Sequence, residues 1–450
     1  MKVESKKITS TSIHMTGIAV IFVAMGVGLS TVASIFDHGV DFFPLLLSTI
    51  ILASAGLLLF KSSKLGATDH ASIFTAVGST WLIVSLLGTI PYLLAGTFSR
   101  NGIGIPEVLV DSLFESVSGF TATGSTVFGV HNSIEIQGSG ILLYRQLTQW
   151  MGGMGIVVLV VSVLPSLRAS GLGLIDAEAP GAGVERIAPR VTETAKKFWY
   201  IYASLTVLIA LAFFAFGMSA FDAVAHSLTT ASTGGFSTKD SSLGHWNSLT
   251  IEIVAMFGFL IAASNFTLHA RLIEKKQFGY ASDSEFKSFM GVIAVGVLII
   301  ALLLNQEGLS FGTALRNASF NVITLATSGG YGNALGSGQV GDFASWPGST
   351  QMLLLFFIVL GGCSGSTSGG VKVMRFRIGL AHAYRILRSM RRPRALIQAR
   401  MGNTTIQDSL VERIAGFVVV YGMLVVLGTF ILTALGSDLI TSLSGTFSAL

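Results

Sequence analysis

Thr121-Ala122-Thr123-Gly124 is written again as Ser232-Thr233-Gly234-Gly235 and as Thr327-Ser328-Gly329-Gly330. Thirteen residues before the last glycine of each copy stand Asp111, Asp222 and Asn317. A short side-chain oxygen makes a good helix N-cap, because it satisfies an orphan N–H of the first turn. The spacing therefore predicts short helices capped by Asp111, Asp222 and Asn317, each running into an extended, glycine-containing strand. Asp438 opens a fourth such helix, and the same offset falls one position past Leu450. On this arithmetic the chain is expected to be C-terminally incomplete, stopping before a fourth strand and its closing span.

Long apolar segments flank every copy. Of 450 residues 51% are hydrophobic and 11% charged, and the mean hydropathy is +0.72. Runs of about 20 apolar residues, enough to cross a bilayer, recur over the whole length. The expected spans lie near 13–36, 42–60, 71–96, 140–165, 198–217, 248–270, 288–305, 349–371 and 410–436. Lys2, Lys6 and Lys7 resemble the start of a signal peptide, but the apolar run is too long and no small-residue cleavage site follows. The first helix is read as retained. With the N-terminus inside, only Arg100, Arg145, Lys239 and Arg316 fall on or near the outer side. The remaining lysines and arginines fall inside, as the positive-inside rule expects. The single cysteine, Cys363, excludes a disulfide framework and any cysteine-based metal site.

The fold expected is an all-α polytopic membrane protein, a pseudo-fourfold array of span–pore loop–span repeats preceded by a two-helix hairpin. Residues 1–64 form the peripheral hairpin and 65–170 the first pore repeat. Residues 171–280 hold an inner linker and the second repeat. The third repeat, 281–400, has an interrupted closing helix and a basic inner segment, and 401–450 begin the fourth. The interruption is Gly361-Gly362-Cys363-Ser364-Gly365-Ser366-Thr367-Ser368-Gly369-Gly370. Irregular backbone at membrane depth is tolerated only where protein buries it or it lines a water-filled cavity. This stretch is therefore read as a gating loop, the alternative being a helix that ends early at the inner interface.

A dehydrating cation needs several oxygens at fixed distances, and backbone carbonyls of an extended loop supply them. Glycine permits the dihedrals that turn successive carbonyls to one side. A helix that ends at such a strand presents partial negative charge to a cation. The three copies are thus candidate ion-binding stretches, with hydroxyls of Thr121, Thr123, Ser232, Thr233, Thr327 and Ser328 adding oxygens or bracing the strand. No copy holds a carboxylate, which favours monovalent over divalent cations.

Other signals are weaker. Gly336-Ser337-Gly338-Gln339-Val340-Gly341 fits a dinucleotide pattern but follows no strand and opens no cytosolic helix. The histidines show no metal-ligand spacing. His226 reads as a packed or hydrogen-bonded side chain or as a pH-sensitive element, Glu115 as a local brace or a cation attractor. Asn265 reads as an interhelical hydrogen-bonding group or a residue beside the permeation path. The glycines of Gln149-Trp150-Met151-Gly152-Gly153-Met154-Gly155 are read as close helix packing. No nucleophile–base set is present, so no enzyme is expected.

Phe114 through Gly124, Arg145-Gln146 with Gln149 through Gly155, Ser232 through Thr238, Asn265 through His269 and Gly361 through Lys372 together resemble the bacterial Trk/Ktr potassium-uptake membrane subunits, most closely the Trk branch. The similarity runs over nearly the whole chain. It implies a four-repeat pore with potassium held at Gly124, Gly235 and Gly330, and an intramembrane gating loop around Gly361–Gly370. It also implies a homodimer in the bacterial cytoplasmic membrane that docks a cytosolic, TrkA-like regulatory subunit. Nucleotide would then bind that partner, and this chain would carry no cofactor beyond the transported potassium. Arg375–Arg400 would be docking surface and not a nucleic-acid site. A symporter coupled to protons or sodium is the close alternative, and a membrane-embedded enzyme a distant one.

Overall fold

The computed structural model describes residues 2–64, 70–99, 104–129, 132–169, 191–391, 400–401 and 404–450. These residues are mainly helical. The strand among them is one two-residue antiparallel pair, Arg400–Met401 with Thr404–Thr405. The chain divides into two compact units, Met1–Ser166 with Tyr202–Trp246, and Leu167–Ile201 with Asn247–Leu450.

In the first unit α1 (Lys2–Ile35) and α2 (Phe42–Lys61) form a hairpin, followed by α3 (His70–Leu87) and α4 (Ile90–Leu94). The hairpin helices touch where Gly17 and Gly56 face each other. A Cβ on Gly17 would stand 2.6 Å from the Phe60 nitrogen, and one on Gly56 2.9 Å from the Ile21 nitrogen. Small residues allow such an approach. Next come α5 (Ile105–Phe120), which ends at the first Thr/Gly stretch, and the long α6 (Ser139–Ala169). Two carboxylates of the α1–α2 turn cap α6. Asp37 accepts from the Ser139 N–H at 2.9 Å and Asp41 from the Ile141 N–H at 3.1 Å, a favourable place for negative charge. Val20, Val27, Leu45 and Leu52 of the hairpin share a core with Tyr144 and Met151 of α6. Helix α7 (Val191–Ala215) leads to α8 (Ala220–Ala231), which ends at the second stretch.

The second unit begins with α9 (Leu249–Ala262) and α10 (Phe266–Lys275). The expected straight span 248–270 is instead broken, with a bend of 91° between these two helices. Asn265 at the break caps α10, its side chain accepting from the Thr267 N–H at 2.8 Å. Helix α11 (Ser284–Gln306) packs on α12 (Phe311–Ala326), which ends at the third stretch, and on α13 (Gly348–Leu360). Irregular chain then runs to α14 (Val373–Arg391), followed by α15 (Asp408–Ala434) and α16 (Leu439–Ala449).

Six described helices are long and apolar enough to cross a membrane: Ser12–Ile35, Phe42–Lys61, Thr75–Leu94, Thr194–Ala215, Ser284–Gln306 and Asp408–Ala434. On α15 the apolar side chains Val420, Met423, Val426 and Phe430 are exposed. A face of that composition suits lipid. The protein is an all-helical polytopic membrane protein.

Candidate functional site

The three Thr/Gly stretches share one backbone conformation. In each, the residue after the helix C-cap is left-handed, with φ of 56° at Ala122, 54° at Thr233 and 55° at Ser328. Two residues later a glycine is again at positive φ, 80° at Gly124, 80° at Gly235 and 70° at Gly330. Each helix closes with the same pair of bonds. Thr123 N–H donates to the Ser118 carbonyl at 3.0 Å, Gly234 to Thr229 at 2.9 Å and Gly329 to Thr324 at 2.7 Å. Ala122 N–H donates to Gly119, Thr233 to Thr230 and Ser328 to Leu325. This double closure is the Schellman motif, normally built on glycine at the left-handed position. A side chain there costs about 1–2 kcal/mol, so three non-glycine residues in it require support from their surroundings.

In the first unit that support comes from α6. The Gln149 amide donates to the Gly234 carbonyl at 2.7 Å and accepts from the Phe236 N–H at 3.0 Å. Gly152 leaves room for the Phe120 carbonyl, and a Cβ on Gly153 would stand 2.8 Å from the Ser232 side chain. The glycines therefore do permit close packing, against the ends of α5 and α8. Arg145, 1% exposed, pairs with Glu115 at 2.5 Å and donates to the Ser237 carbonyl at 2.7 Å. Its guanidinium also stacks over the Phe236 ring, 3.6 Å from the centroid.

Glu115 accepts in addition from the Thr126 hydroxyl at 3.0 Å and the Val127 N–H at 3.2 Å. Its geometry is that of a brace, since both oxygens are engaged by protein. His226 is likewise hydrogen-bonded at both nitrogens, to the Asp222 carbonyl and to the Ser237 hydroxyl, each at 2.8 Å.

In the second unit Thr324 Oγ1 accepts from the Tyr331 N–H at 2.9 Å, fixing the strand just beyond Gly330. Asn333 is held from two sides. Its amide donates to Asn317 at 3.0 Å, and its carbonyl oxygen accepts from Asn321 at 3.2 Å. The Ser328 hydroxyl accepts from the Gly369 N–H at 2.7 Å and contacts the Ser368 hydroxyl at 3.3 Å.

The loop Gly361–Gly370 is therefore packed against the third stretch. Cys363, Ser364, Ser366, Thr367 and Ser368 are buried, so protein covers this irregular backbone. Cys363 N–H donates to the Ala263 carbonyl at 2.9 Å, and Phe266 N–H donates to the Gly365 carbonyl at 3.1 Å. The break between α9 and α10 thus exposes backbone groups that the loop uses. One Glu285 oxygen, on a side chain 3% exposed, accepts from the N–H of Ser364 at 2.8 Å and of Met374 at 3.2 Å. The Lys372 ammonium donates to the Ser368 carbonyl.

The expected caps need correction. Helix α5 starts after Gly104, α8 after Ser219 and α12 after Ser310. Ser219 accepts from the Asp222 N–H and Ser310 from the Thr313 N–H. Asp111 and Asn317 lie inside their helices and Asp222 in the first turn of its own. The shared offset is real in register, but it marks a position along each helix and not its start. Asp438 does cap α16, accepting from the Thr441 N–H at 3.0 Å. Gln149, Glu285 and Asn333 are bracing residues that sequence reasoning missed. Gln149 and Glu285 engage partners 79 to 89 residues away, and Glu285 reads locally as the ordinary acidic first turn of a helix; Asn333 bonds Asn317 and Asn321, 16 and 12 residues before it. The inner linker 170–190 and residues 392–399 of the expected docking surface lie outside the described residues. Among the described residues no group of His, Cys, Asp or Glu could hold a metal ion.

These elements define a class: a polytopic helical membrane protein whose short helices end in identically folded Thr/Gly turns backed by buried polar side chains. A family model, TrkH, described as a cation transport protein, matches residues 39–450. The Trk system potassium uptake protein TrkH of Halomonas elongata is 38% identical over 370 residues, covering 81% of this chain and 73% of that protein. The protein of that name from Escherichia coli K12 is 35% identical over 396 residues, covering 86% and 78%. The crystal structure of the potassium transporter TrkH from Vibrio parahaemolyticus matches with a TM-score of 0.84 and 29% identity, over 98% of this chain and 90% of that one. The chain belongs to the TrkH family of cation transport proteins.

Proposed function

We propose that this chain is the potassium-translocating membrane subunit of a Trk-type uptake system. The three Thr/Gly stretches are read as arms of a selectivity filter, in which backbone carbonyls replace the hydration shell of a monovalent cation. The observation that carries this reading is the threefold recurrence of one costly backbone conformation, at Ala122/Gly124, Thr233/Gly235 and Ser328/Gly330. Packing alone does not require three separated segments to adopt the same left-handed pair. The helix C-terminus at each stretch adds partial negative charge, which favours a cation. The names of the relatives, potassium uptake proteins, point to the same ion.

In this reading Gly361–Gly370 is the gate, and the basic inner segments dock a cytosolic, nucleotide-binding regulatory subunit. The working form is a homodimer in the bacterial cytoplasmic membrane with the N-terminus inside. The test is uptake of potassium and sodium in a bacterial strain lacking its own potassium transporters. Gly235→Ser should lower the potassium-to-sodium uptake ratio. A normally inserted variant with the unaltered ratio would remove Gly235 from the filter.

A further inference from the structure

Nine residues before the last glycine of each stretch stand Glu115, His226 and Asn321. All three are fully buried. Each hydrogen-bonds to the strand two or three residues beyond that glycine. Glu115 holds Thr126 and Val127, His226 holds Ser237, and Asn321 holds Asn333. The chemistry differs each time, a carboxylate, an imidazole and a carboxamide, while the place and the bonded segment are the same. The Thr/Gly stretch is thus fixed at two points: by the Schellman closure at the helix end and by this bond past the glycine.

We propose that Glu115, His226 and Asn321 are filter-positioning residues, one latch per pore helix, which set ion selectivity by fixing the far end of each filter strand. The inference rests on the filter reading above and deepens it. A buried polar group must find some partner, and bonding within its own helix would satisfy that need. Three unlike side chains at one register that all reach the post-glycine strand need a further reason. Selectivity supplies it, because in the filter reading the number and placement of the coordinating oxygens set which cation is favoured. In the first repeat the latch is charged, and Arg145 both neutralises Glu115 and binds the Ser237 carbonyl. One guanidinium therefore secures the latched strands of two repeats.

The experiment measures potassium and sodium uptake by cells expressing His226→Phe, His226→Gln, Asn321→Leu, Ser237→Ala and Gly235→Ser. His226→Phe keeps the ring and removes the bond to Ser237, whereas the glutamine amide can replace the imidazole nitrogen. The expected result is a potassium-to-sodium ratio lowered about tenfold in His226→Phe and Asn321→Leu, with His226→Gln within about threefold of wild type. A purely structural role would reduce both fluxes together and leave the ratio alone. Wild-type ratios in inserted His226→Phe and Asn321→Leu, with Gly235→Ser altered, would overturn the latch and spare the filter. An unaltered ratio in Gly235→Ser as well would sink the filter reading itself. Should neither latch variant accumulate in the membrane, Ser237→Ala decides: a lowered ratio supports the latch and a wild-type ratio overturns it.

Discussion

The side-chain amide of Gln149 meets the backbone of Gly234 as a neighbouring β-strand would, donating to its carbonyl at 2.7 Å. Its own carbonyl oxygen accepts from the Phe236 N–H at 3.0 Å. One helical side chain thereby satisfies two backbone groups flanking Gly235, and the Gly234 carbonyl is engaged by protein.

Gln149→Leu should leave the Gly234 carbonyl and the Phe236 N–H buried without partners. Each such group costs about 1–3 kcal/mol. The expected outcome is a lowered melting temperature of the detergent-solubilised protein together with increased sodium uptake. Wild-type values of both would show that the strand holds its shape unaided.

Arg145→Met should be more harmful than the double variant Glu115→Gln/Arg145→Met. Removing one partner of a buried ion pair strands the other charge at a cost of about 3–5 kcal/mol, whereas neutralising both avoids it. The amount of folded protein recovered from membranes reads the difference. Equal loss in both variants would mean that Arg145 acts through Ser237 and Phe236 and not through Glu115.

Glu285→Ala should loosen the Gly361–Gly370 loop, because one carboxylate oxygen holds both Ser364 and Met374. Cys363, the chain's single cysteine and 1% exposed, reports this directly. Maleimide labelling should be slow in the wild type and at least about tenfold faster in the variant, the scale set by losing charged hydrogen bonds. Unchanged labelling would show that the loop is held by its other contacts, among them those with Ala263, Phe266 and Ser328.

Asp41 gives a prediction for pH. Burial pushes its carboxyl above the usual aspartate range, the Ile141 N–H opposes this, and the Asp37 carboxylate adds to it. The folded state therefore holds the proton more tightly than the unfolded chain. Its stabilising contribution is complete below the ordinary aspartate value and is lost as pH rises through the raised folded value. Asp41→Asn should flatten that part of the stability profile and leave neutral-pH stability equal or higher. A steeper decline with rising pH in the variant would contradict this sign.

The recurrence of the Thr/Gly stretches, the hydrophobic spans and the broken third closing helix were legible because each is a local pattern of residue type. The helix starts were misread for a physical reason. Asp111 and Asn317 have the chemistry of caps, but Pro106 near the start of α5 and Ser310 before α12 set the helix starts further upstream. Ser219 and Ser310 were readable as caps, each with a first-turn N–H three residues on. The bend at Ala263–Asn265 had a local signal, since Ser264 and Asn265 interrupt the apolar run and Asn265 has the chemistry of a cap, but a span read by length and overall hydropathy runs across it. Arg145 and Gln149 stand beside a glycine-rich helix segment, and nothing local tells of partners some 85 to 92 residues away.

Ser328 has one hydroxyl and two allegiances. It belongs to the third Thr/Gly turn and also receives the N–H of Gly369. A loop that withdraws takes this bond from the turn, so the two segments do not fluctuate independently. Thermodynamic linkage then runs both ways: whatever loop withdrawal does to the cation affinity of that turn, cation occupancy does in equal measure to the loop equilibrium. On the proposed reading, with Gly361–Gly370 as gate and the third turn as a filter arm, external potassium is a ligand of the gate as well as its cargo.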